Sequence, residues 1–404
     1  MARHFLPIVL SALILIFLGC TPADDVGTNA ASAWTGTIDT LASGTVAVHN
    51  AGTPYWSHDE TWQVVEKFRL GSGDILFGSI RSFDVDQNGR VYVLDNQSQE
   101  IHIFDAEGTF VRTAGGQGTG PGEFERASAV DISPKGEIWV MEMPKGQLTA
   151  LDSNGIYQRR EYVNSTGTAY SRYPGGMDRV GRYNGAVYNR MGEGHTFALA
   201  RFDASFAPID TVPIPMRPVD PEFFEHLMDD GRSRIRAAVP YQGSHQWRFS
   251  TSGHFWTLYT GTYELAEITP AGEVLRIVTL DFEPLPVTAQ DKAQVRDQLR
   301  WFTRQGGSMD LSRIPNTKPV VSSFFVDDIG SLWVQRVALE SDDEGRIFDV
   351  FDADGRFLGQ LRLPFALDMR VDPVVMDGVL YGVGEEANGA SIIVVASIER
   401  PGAA

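Results

Sequence analysis

Two stretches of this chain can be laid over one another without a gap. Phe83-Asp84-Val85-Asp86-Gln87-Asn88-Gly89-Arg90-Val91-Tyr92-Val93-Leu94-Asp95 aligns with Val130-Asp131-Ile132-Ser133-Pro134-Lys135-Gly136-Glu137-Ile138-Trp139-Val140-Met141-Glu142 at an offset of 47 residues, and Phe104 to Gly108 aligns with Leu151 to Gly155 at the same offset. A period of that size, made of short alternating apolar runs, marks an array whose units cannot bury their apolar faces alone. Each unit reads as an apolar strand, a polar turn ending in Gly, a β-branched and aromatic strand, a loop, a third strand and a second Gly turn. Tight hairpins need positive φ, which Gly supplies without a steric cost.

The inner-turn glycine can be followed through Gly89, Gly136, Gly185, Gly253, Gly330 and Gly378. Six marks predict an all-β chain, a six-bladed β-propeller of four-stranded antiparallel blades. The 404 residues would otherwise allow two or three domains. The outer turn recurs at Gly108, Gly155, Gly272 and Gly355, with Ala204-Ser205 in its place in the third unit. The last unit ends on Ser391 to Ile398 with no chain left for a fourth strand, while Trp62 to Arg69 precedes the first unit without a partner. That early segment is expected to supply the missing outer strand and close the ring, leaving no long exposed edge there.

The N-terminus has a different character. Arg3 and His4 precede an apolar run from Phe5 to Leu18, then Gly19-Cys20, which is short for a membrane span and has the layout of a secretory signal. Phe17-Leu18-Gly19-Cys20 resembles the lipobox of bacterial lipoproteins, although Leu is commoner at the first position and a small residue at the second. The resemblance implies a signal peptide over 1–19 and lipidation of Cys20, the single cysteine of the chain, which therefore has no internal disulfide partner. Thr21 stands where Asp would favour retention at the inner membrane, so the resemblance implies an exported protein anchored to the outer membrane, on its periplasmic face or at the cell surface. Residues 20–58, rich in Ala, Gly, Ser and Thr, read as a flexible tether, and the propeller is expected over 59–400. A net charge of −18 argues against nucleic acid as a partner, because such binding rests on Lys and Arg at phosphates.

The linker Gly118-Thr119-Gly120-Pro121-Gly122-Glu123-Phe124 and the strand pair from Asp86 to Asp95 resemble the NHL-repeat propellers, and more closely the six-bladed propeller lipoproteins of environmental bacteria. The resemblance is specific over 78–160 and looser elsewhere. It implies a fold and a binding platform. The family also includes metal-dependent lyases and lactonase-like enzymes, so the reaction stays open.

Two of the intervals between inner-turn glycines are long, from Gly185 to Gly253 and from Gly253 to Gly330. Each holds an insertion, at about 213–245 and 282–318. Asp220-Pro221 at a helix start, and Val295, Leu299 and Phe302 at helical spacing, predict that both are helical. Both connect the outer strand of one blade to the inner strand of the next, so they share one face, over a mouth of the central channel. The rim of that mouth is the expected site, carrying Arg81, Asp95, Arg126, Glu142, Arg190, His195, His245, Trp247, Tyr259, Tyr263 and Arg370. Arginines there suit anionic or sugar-like ligands, with bracing of adjacent blades as the plain alternative.

Other motifs fall to simpler readings. Asp84-Val85-Asp86-Gln87-Asn88-Gly89 resembles a calcium loop, but its flanks alternate as strands and the second repeat keeps the Gly while losing the middle carboxylates. The Gly115 to Gly122 run lacks the Lys-Ser/Thr of a phosphate loop. Asp342, Asp343 and Glu385 are weak candidates for a hard cation, and His195 with His245 for zinc. No cofactor is expected for a binding platform; a calcium or zinc ion belongs to the alternative, a metal-dependent lyase or hydrolase. The expected function is a monomeric, lipid-anchored platform for an envelope protein, peptide or glycan.

Overall fold

The computed structural model describes residues 34–56, 61–142, 146–162, 168–170, 176–178, 181–191, 194–215, 221–250, 252–337 and 345–401, with only the backbone of 168–170, 186–191 and 194–197. The chain is a six-bladed β-propeller. Strands are lettered A to D from the inner to the outer edge of each blade. Blade I is Ile80–Val85, Val91–Asp95, Glu100–Phe104 and Phe110–Gly115, and blade II is Ala127–Ile132, Ile138–Glu142, Gln147–Leu151 and Tyr157–Tyr162. Blade III has a split strand A, Thr168–Tyr170 and Gly176–Met177, followed by Tyr183–Met191, Gly194–Phe202 and Pro208–Pro213. Blade IV is His245–Phe249, Phe255–Tyr259, Glu264–Ile268 and Val274–Leu280; blade V is Val321–Val326, Leu332–Arg336, Ile347–Phe351 and Phe357–Arg362. Blade VI takes Val374–Met376, Val379–Glu385 and Ser391–Glu399 from the end of the chain. Its strand D is Gln63–Leu70, antiparallel to Ser391–Glu399, which closes the ring as expected.

The core lies between blades. Tyr92, Leu94 and Ile101 of blade I pack on Val130, Ile138 and Val140 of blade II, and five further clusters repeat this around the circle to Phe83 and Val93 against Tyr381 and Val395. Because both faces of each sheet are covered, strand B reads as a continuous apolar run, fully buried in Val91–Asp95 and Ile138–Glu142. Burial of this kind contributes roughly 25 cal/mol per Å² of apolar surface.

Three expectations change. In blade III the inner turn is at Gly181, φ +81°, and Gly185 lies inside strand B. Asp178 Oδ1 accepts from Arg182 N at 2.8 Å, as Asp86 Oδ1 accepts from Arg90 N at 3.0 Å in blade I. The Asp-x-x-Gly spacing, more than the Gly alone, specifies the turn.

The first insertion is not helical. It is a β-hairpin, Phe223–Leu227 paired with Arg234–Ala238, turning at Asp230-Gly231. Asp230 Oδ1 accepts from Arg232 N and Ser233 N, and Gly231 has φ +65°. An Asp-Gly turn between alternating residues outweighs the helix-start signal at Asp220-Pro221. The second insertion is helical: α1 (Ala289–Gln298), α2 (Arg300–Arg304) and a 3₁₀ turn, Leu311–Arg313. The two insertions pack on each other through Phe224, Ala237, Val239, Val295, Phe302 and Ile314. Arg313 ties them, with its guanidinium on Glu222 at 2.8 Å and on the Phe223 carbonyl at 3.0 Å.

The segment expected to be a flexible tether folds from residue 34 onward. Thr37–Thr40 and Val46–Asn50 form a hairpin whose second strand runs parallel to strand D of blade IV. Asn50 is 1% exposed and uses all its amide capacity: Oδ1 accepts from Trp34 Nε1 (2.9 Å) and Phe357 N (2.7 Å), and Nδ2 donates to the carbonyls of Thr279 and Gly355 (both 3.0 Å). Trp56 N then donates to Leu358 O on the edge of blade V, with its ring over Gly359. Residues 34–56 thus run along the outer edges of blades IV and V, and Gln63–Leu70 is itself the outer strand of blade VI.

Candidate functional site

In a four-stranded antiparallel blade the A–B and C–D hairpins lie on one face, and the B–C loops and blade-to-blade connections on the other. The insertions are such connections. Residues at the end of strand B therefore sit on the inserted face, and the sequence placed a site there.

Most of them brace the fold. Asp95, 4% exposed, accepts from Gly78 N (2.8 Å), Ser79 N (3.0 Å) and Gln97 N (2.9 Å). Glu142, 3% exposed, accepts from Glu125 N at 2.9 Å and from the Gln147 amide. Buried carboxylates saturated by backbone donors hold the incoming connection and have little left for a ligand. Trp247 lies in the core between blades III and IV, against Phe255. The Tyr263 hydroxyl donates at 2.6 Å to Asp349, a fully buried carboxylate of blade V that also accepts from Arg336 Nε at 2.6 Å. Burial first, and the Asp349 charge second, push the Tyr263 hydroxyl well above its ordinary pKa. These four are corrected from ligand contacts to structural members.

Arg126 and Arg370 are exposed, and Arg370 pairs with Asp368 at 2.6 Å. Arg81 is half-buried on strand A of blade I, and Glu385 is exposed at the end of strand B of blade VI. Arg190 and His195 are register partners beside the B–C loop of blade III, with side chains outside the described residues. Asp342, Asp343 and Cys20 also lie outside the described residues. Among the described residues no group of three His, Cys, Asp or Glu side chains is placed to hold a metal ion.

His245 and Tyr259 do come together. They are cross-strand partners on the side of blade IV that faces blade III, their rings 5.3 Å apart. Alternation puts Thr257, Glu264, Ala266, Ile268 and Ile277 on the same side. Trp247, Phe255 and Ile268 fill one half of this side with core contacts to Leu199, Val212 and Ile214. The other half opens into a cavity of about 420 Å³ lined by His245, Thr257, Tyr259, Glu264 and Pro215. It runs along that side of the blade from Pro215 and His245, which flank the hairpin insertion, to Gly272 and Val274 at the C–D turn on the other face. A Cβ at Gly243 would come within 2.5 Å of the Tyr259 ring and one at Gly261 within 2.7 Å, so two glycines leave room for the tyrosine. Thr257 and Glu264 were missed in the sequence, although alternation from His245 and Tyr259 would have found them.

The channel side carries a second cluster. Asp84 and Asp131 occupy the same position in repeats one and two. Asp84 accepts from Ile132 N of blade II at 2.6 Å, and Asp131 accepts from Met177 N of blade III. Burial raises the Asp84 carboxyl to about 6; burial, with the Asp84 charge added, raises that of Asp131 to about 8. Farther round, Arg248 of blade IV reaches over Phe324 of blade V to Asp372 of blade VI at 2.7 Å.

Asp86 accepts from Asn88 N, Arg90 N and the Tyr92 hydroxyl, in keeping with a hairpin turn in place of a calcium loop. In the glycine linker, Gly118 N donates to Phe124 O and Phe124 N to Gly116 O, a connector that buries Phe124 between blades I and II.

Residues 72–162 match the model of a family, DUF5128, described as a six-bladed β-propeller. No curated protein matches the chain. Among solved structures it is similar to a DUF4221 family member from Bacteroides vulgatus, at 14% identity and a TM-score of 0.50 over 85% of this chain and 99% of that one. A virginiamycin B lyase from Staphylococcus aureus is similar at 11% identity and a TM-score of 0.43, over 83% and 99% of the two chains. A regucalcin from Agrobacterium tumefaciens follows at 12% and 0.40, over 83% and 95%. At these identities the likeness concerns the fold alone.

Proposed function

We propose that this chain is an envelope binding platform, lipid-anchored through Cys20, that takes a glycan or a peptide segment of an envelope protein in the cleft along the side of blade IV that faces blade III. The observation that carries the reading is the half-open side of blade IV. There His245, Thr257, Tyr259 and Glu264 present hydrogen-bonding groups and an aromatic pair beside the apolar Ala266 and Ile277. Clefts with an apolar floor and a few convergent polar groups are where ligands bind, and aromatic rings suit sugar faces and peptide side chains alike.

The test is an array of envelope glycans and peptides probed with the mature chain, beside the variants Tyr259→Ala and His245→Ala. Retained ligands should lose at least tenfold in affinity in both variants, with the thermal melt little changed. Ligands that bind both variants as tightly as the parent would place recognition elsewhere and end this reading.

A further inference from the structure

The N-terminal segment enters the body beside the root of the helical insertion. Thr37 pairs with His49, and His49 with Thr279 of blade IV, so the strap starts on the inserted face. Trp34 Nε1 donates to Asn50 Oδ1, Asp281 N donates to Asn50 O at 2.9 Å, and His49 lies 3.5 Å from the Asp281 carboxylate. Asp281 begins the connection that carries α1 and α2. Cys20 is joined to Trp34 by a stretch that reaches at most about 50 Å when fully extended.

The helices at that root carry an unusual surface for so acidic a chain. Arg296, Arg300 and Arg304 follow one another at four-residue spacing, all exposed, with Trp301 beside them at 43% exposure. Arg300 and Arg304 stand at i,i+4 within α2, where like charges disfavour the helix, and Arg296 lies in α1 beyond the break at Leu299. Arg300 pairs with Asp297 at 2.7 Å, and Asp291 is taken by Lys318 at 2.8 Å. Among the described residues Arg296 and Arg304 have no ion-pair partner. The opposite side of the helices, Val295, Leu299 and Phe302, is spent on the hairpin.

We infer that the exposed side of α1 and α2 is a membrane-docking surface, with Arg296, Arg300 and Arg304 on the phosphates of anionic lipid headgroups and Trp301 in the interface. A chain of net charge −18 is repelled by such a surface except at a local basic patch, and this patch lies on the connection whose first residue, Asp281, the N-terminal strap contacts. Arg near an anionic leaflet is drawn to the lipid phosphates, and Trp favours the interfacial zone. That is too weak to recruit the protein alone and enough to orient one already tethered, with the tether taken from the proposed acylation of Cys20.

The single cysteine allows a test that does not depend on cellular acylation. The chain from Cys20 onward, coupled through that thiol to a maleimide lipid in vesicles, is mixed with 30% phosphatidylglycerol whose acyl chains carry bromine near the headgroup. Tryptophan fluorescence should be quenched, the quenching should be lost in Trp301→Phe, and it should fall at least threefold in Arg296→Glu/Arg304→Glu or in vesicles of phosphatidylcholine alone. Equal quenching in the parent and in Trp301→Phe, or none in either, would overturn the docking surface. Acylation is judged separately by the mass of Cys20 in membrane fractions, where an unmodified thiol sinks the tether reading while the vesicle result still decides this one.

Discussion

Blades IV to VI and blades I to III are built from the same repeat and held together by different means. Residues 34–56 lie along the outer edges of IV and V, Gln63–Leu70 is itself the outer strand of VI with Val65 exposed, and the joints between these blades carry Asn50, the Tyr263–Asp349–Arg336 set and the Arg248–Asp372 pair. In I, II and III the outer strands leave Phe110, Val111, Tyr162 and Ile209 exposed. On the channel side these blades are joined by Asp84 and Asp131, carboxylates that bind protons more tightly than they would in water. Blades IV and V carry an added strap outside; blades I to III rely on core packing, the two acids and direct ties such as Ala127 N to Gln99 Oε1 and Arg112 to the Asn154 carbonyl. A ring needs an extra device only where the chain closes, and here that device extends over blades IV and V.

The largest effect expected from breaking this contrast is deletion of residues 34–56. Losing the hairpin, Trp34, Val48 and Trp56 should cost on the order of 5 kcal/mol of apolar burial, and hydrogen exchange should rise in 274–280 and 357–362 while 91–104 stays protected. Uniform loss of protection across all six blades would show that the strap and the open half are one cooperative unit. Next comes Asn50→Ala, which orphans the Trp34 and Phe357 donors and two carbonyls and should cost about 3 kcal/mol in chemical denaturation. A loss under about 1 kcal/mol would mean that water takes over the site.

The third prediction concerns pH and the open half. A carboxyl whose folded pKa lies above its unfolded value of about 3.9 binds more protons in the native state, so stability falls as pH rises through that window. With Asp84 raised to about 6 and Asp131 to about 8, blades I to III should loosen as pH rises from about 4 to about 8. Asp131→Asn keeps an acceptor for Met177 N without the charge. It should flatten the slope of melting temperature against pH and raise the melting temperature at pH 8.5, and an unchanged slope would remove Asp131 from the account. The smallest effect is expected on the open edge, where Val111→Thr should change stability by less than about 0.5 kcal/mol. A larger loss would mean that this edge is covered in the folded protein.

The blades were legible in the sequence because hairpin turns and two-faced burial are local demands repeated at a fixed period. Ring closure was legible because one strand was left over at each end. The strap from residue 34 was not, since Thr37–Thr40 and Val46–Asn50 are short and weakly apolar. Their partners lie some 230 residues away, as in Asn50 to Thr279 with a separation of 229. The hairpin insertion was misread because a helix-start signal was weighed without the Asp230-Gly231 turn. At the site, His245 and Tyr259 were found as rim residues. Asp95 and Glu142 were misjudged because a carboxylate that binds a ligand and one that holds backbone N–H groups look alike in sequence. Trp247 and Tyr263 were misplaced because alternation decides which side of a blade they face.

Ring closure also sets an order of events in time. Gln63–Leu70 leaves the ribosome long before its partner Ser391–Glu399, and the bond from Ser397 Oγ to Val65 O spans 332 residues. Until then an alternating strand with unmet backbone groups must wait, along with Val46–Asn50, whose partner also arrives late. Such strands are prone to pair with the wrong chain. Closure of the ring therefore waits for Ser391–Glu399, and a chain ending before Ser391 would have no partner for Gln63–Leu70.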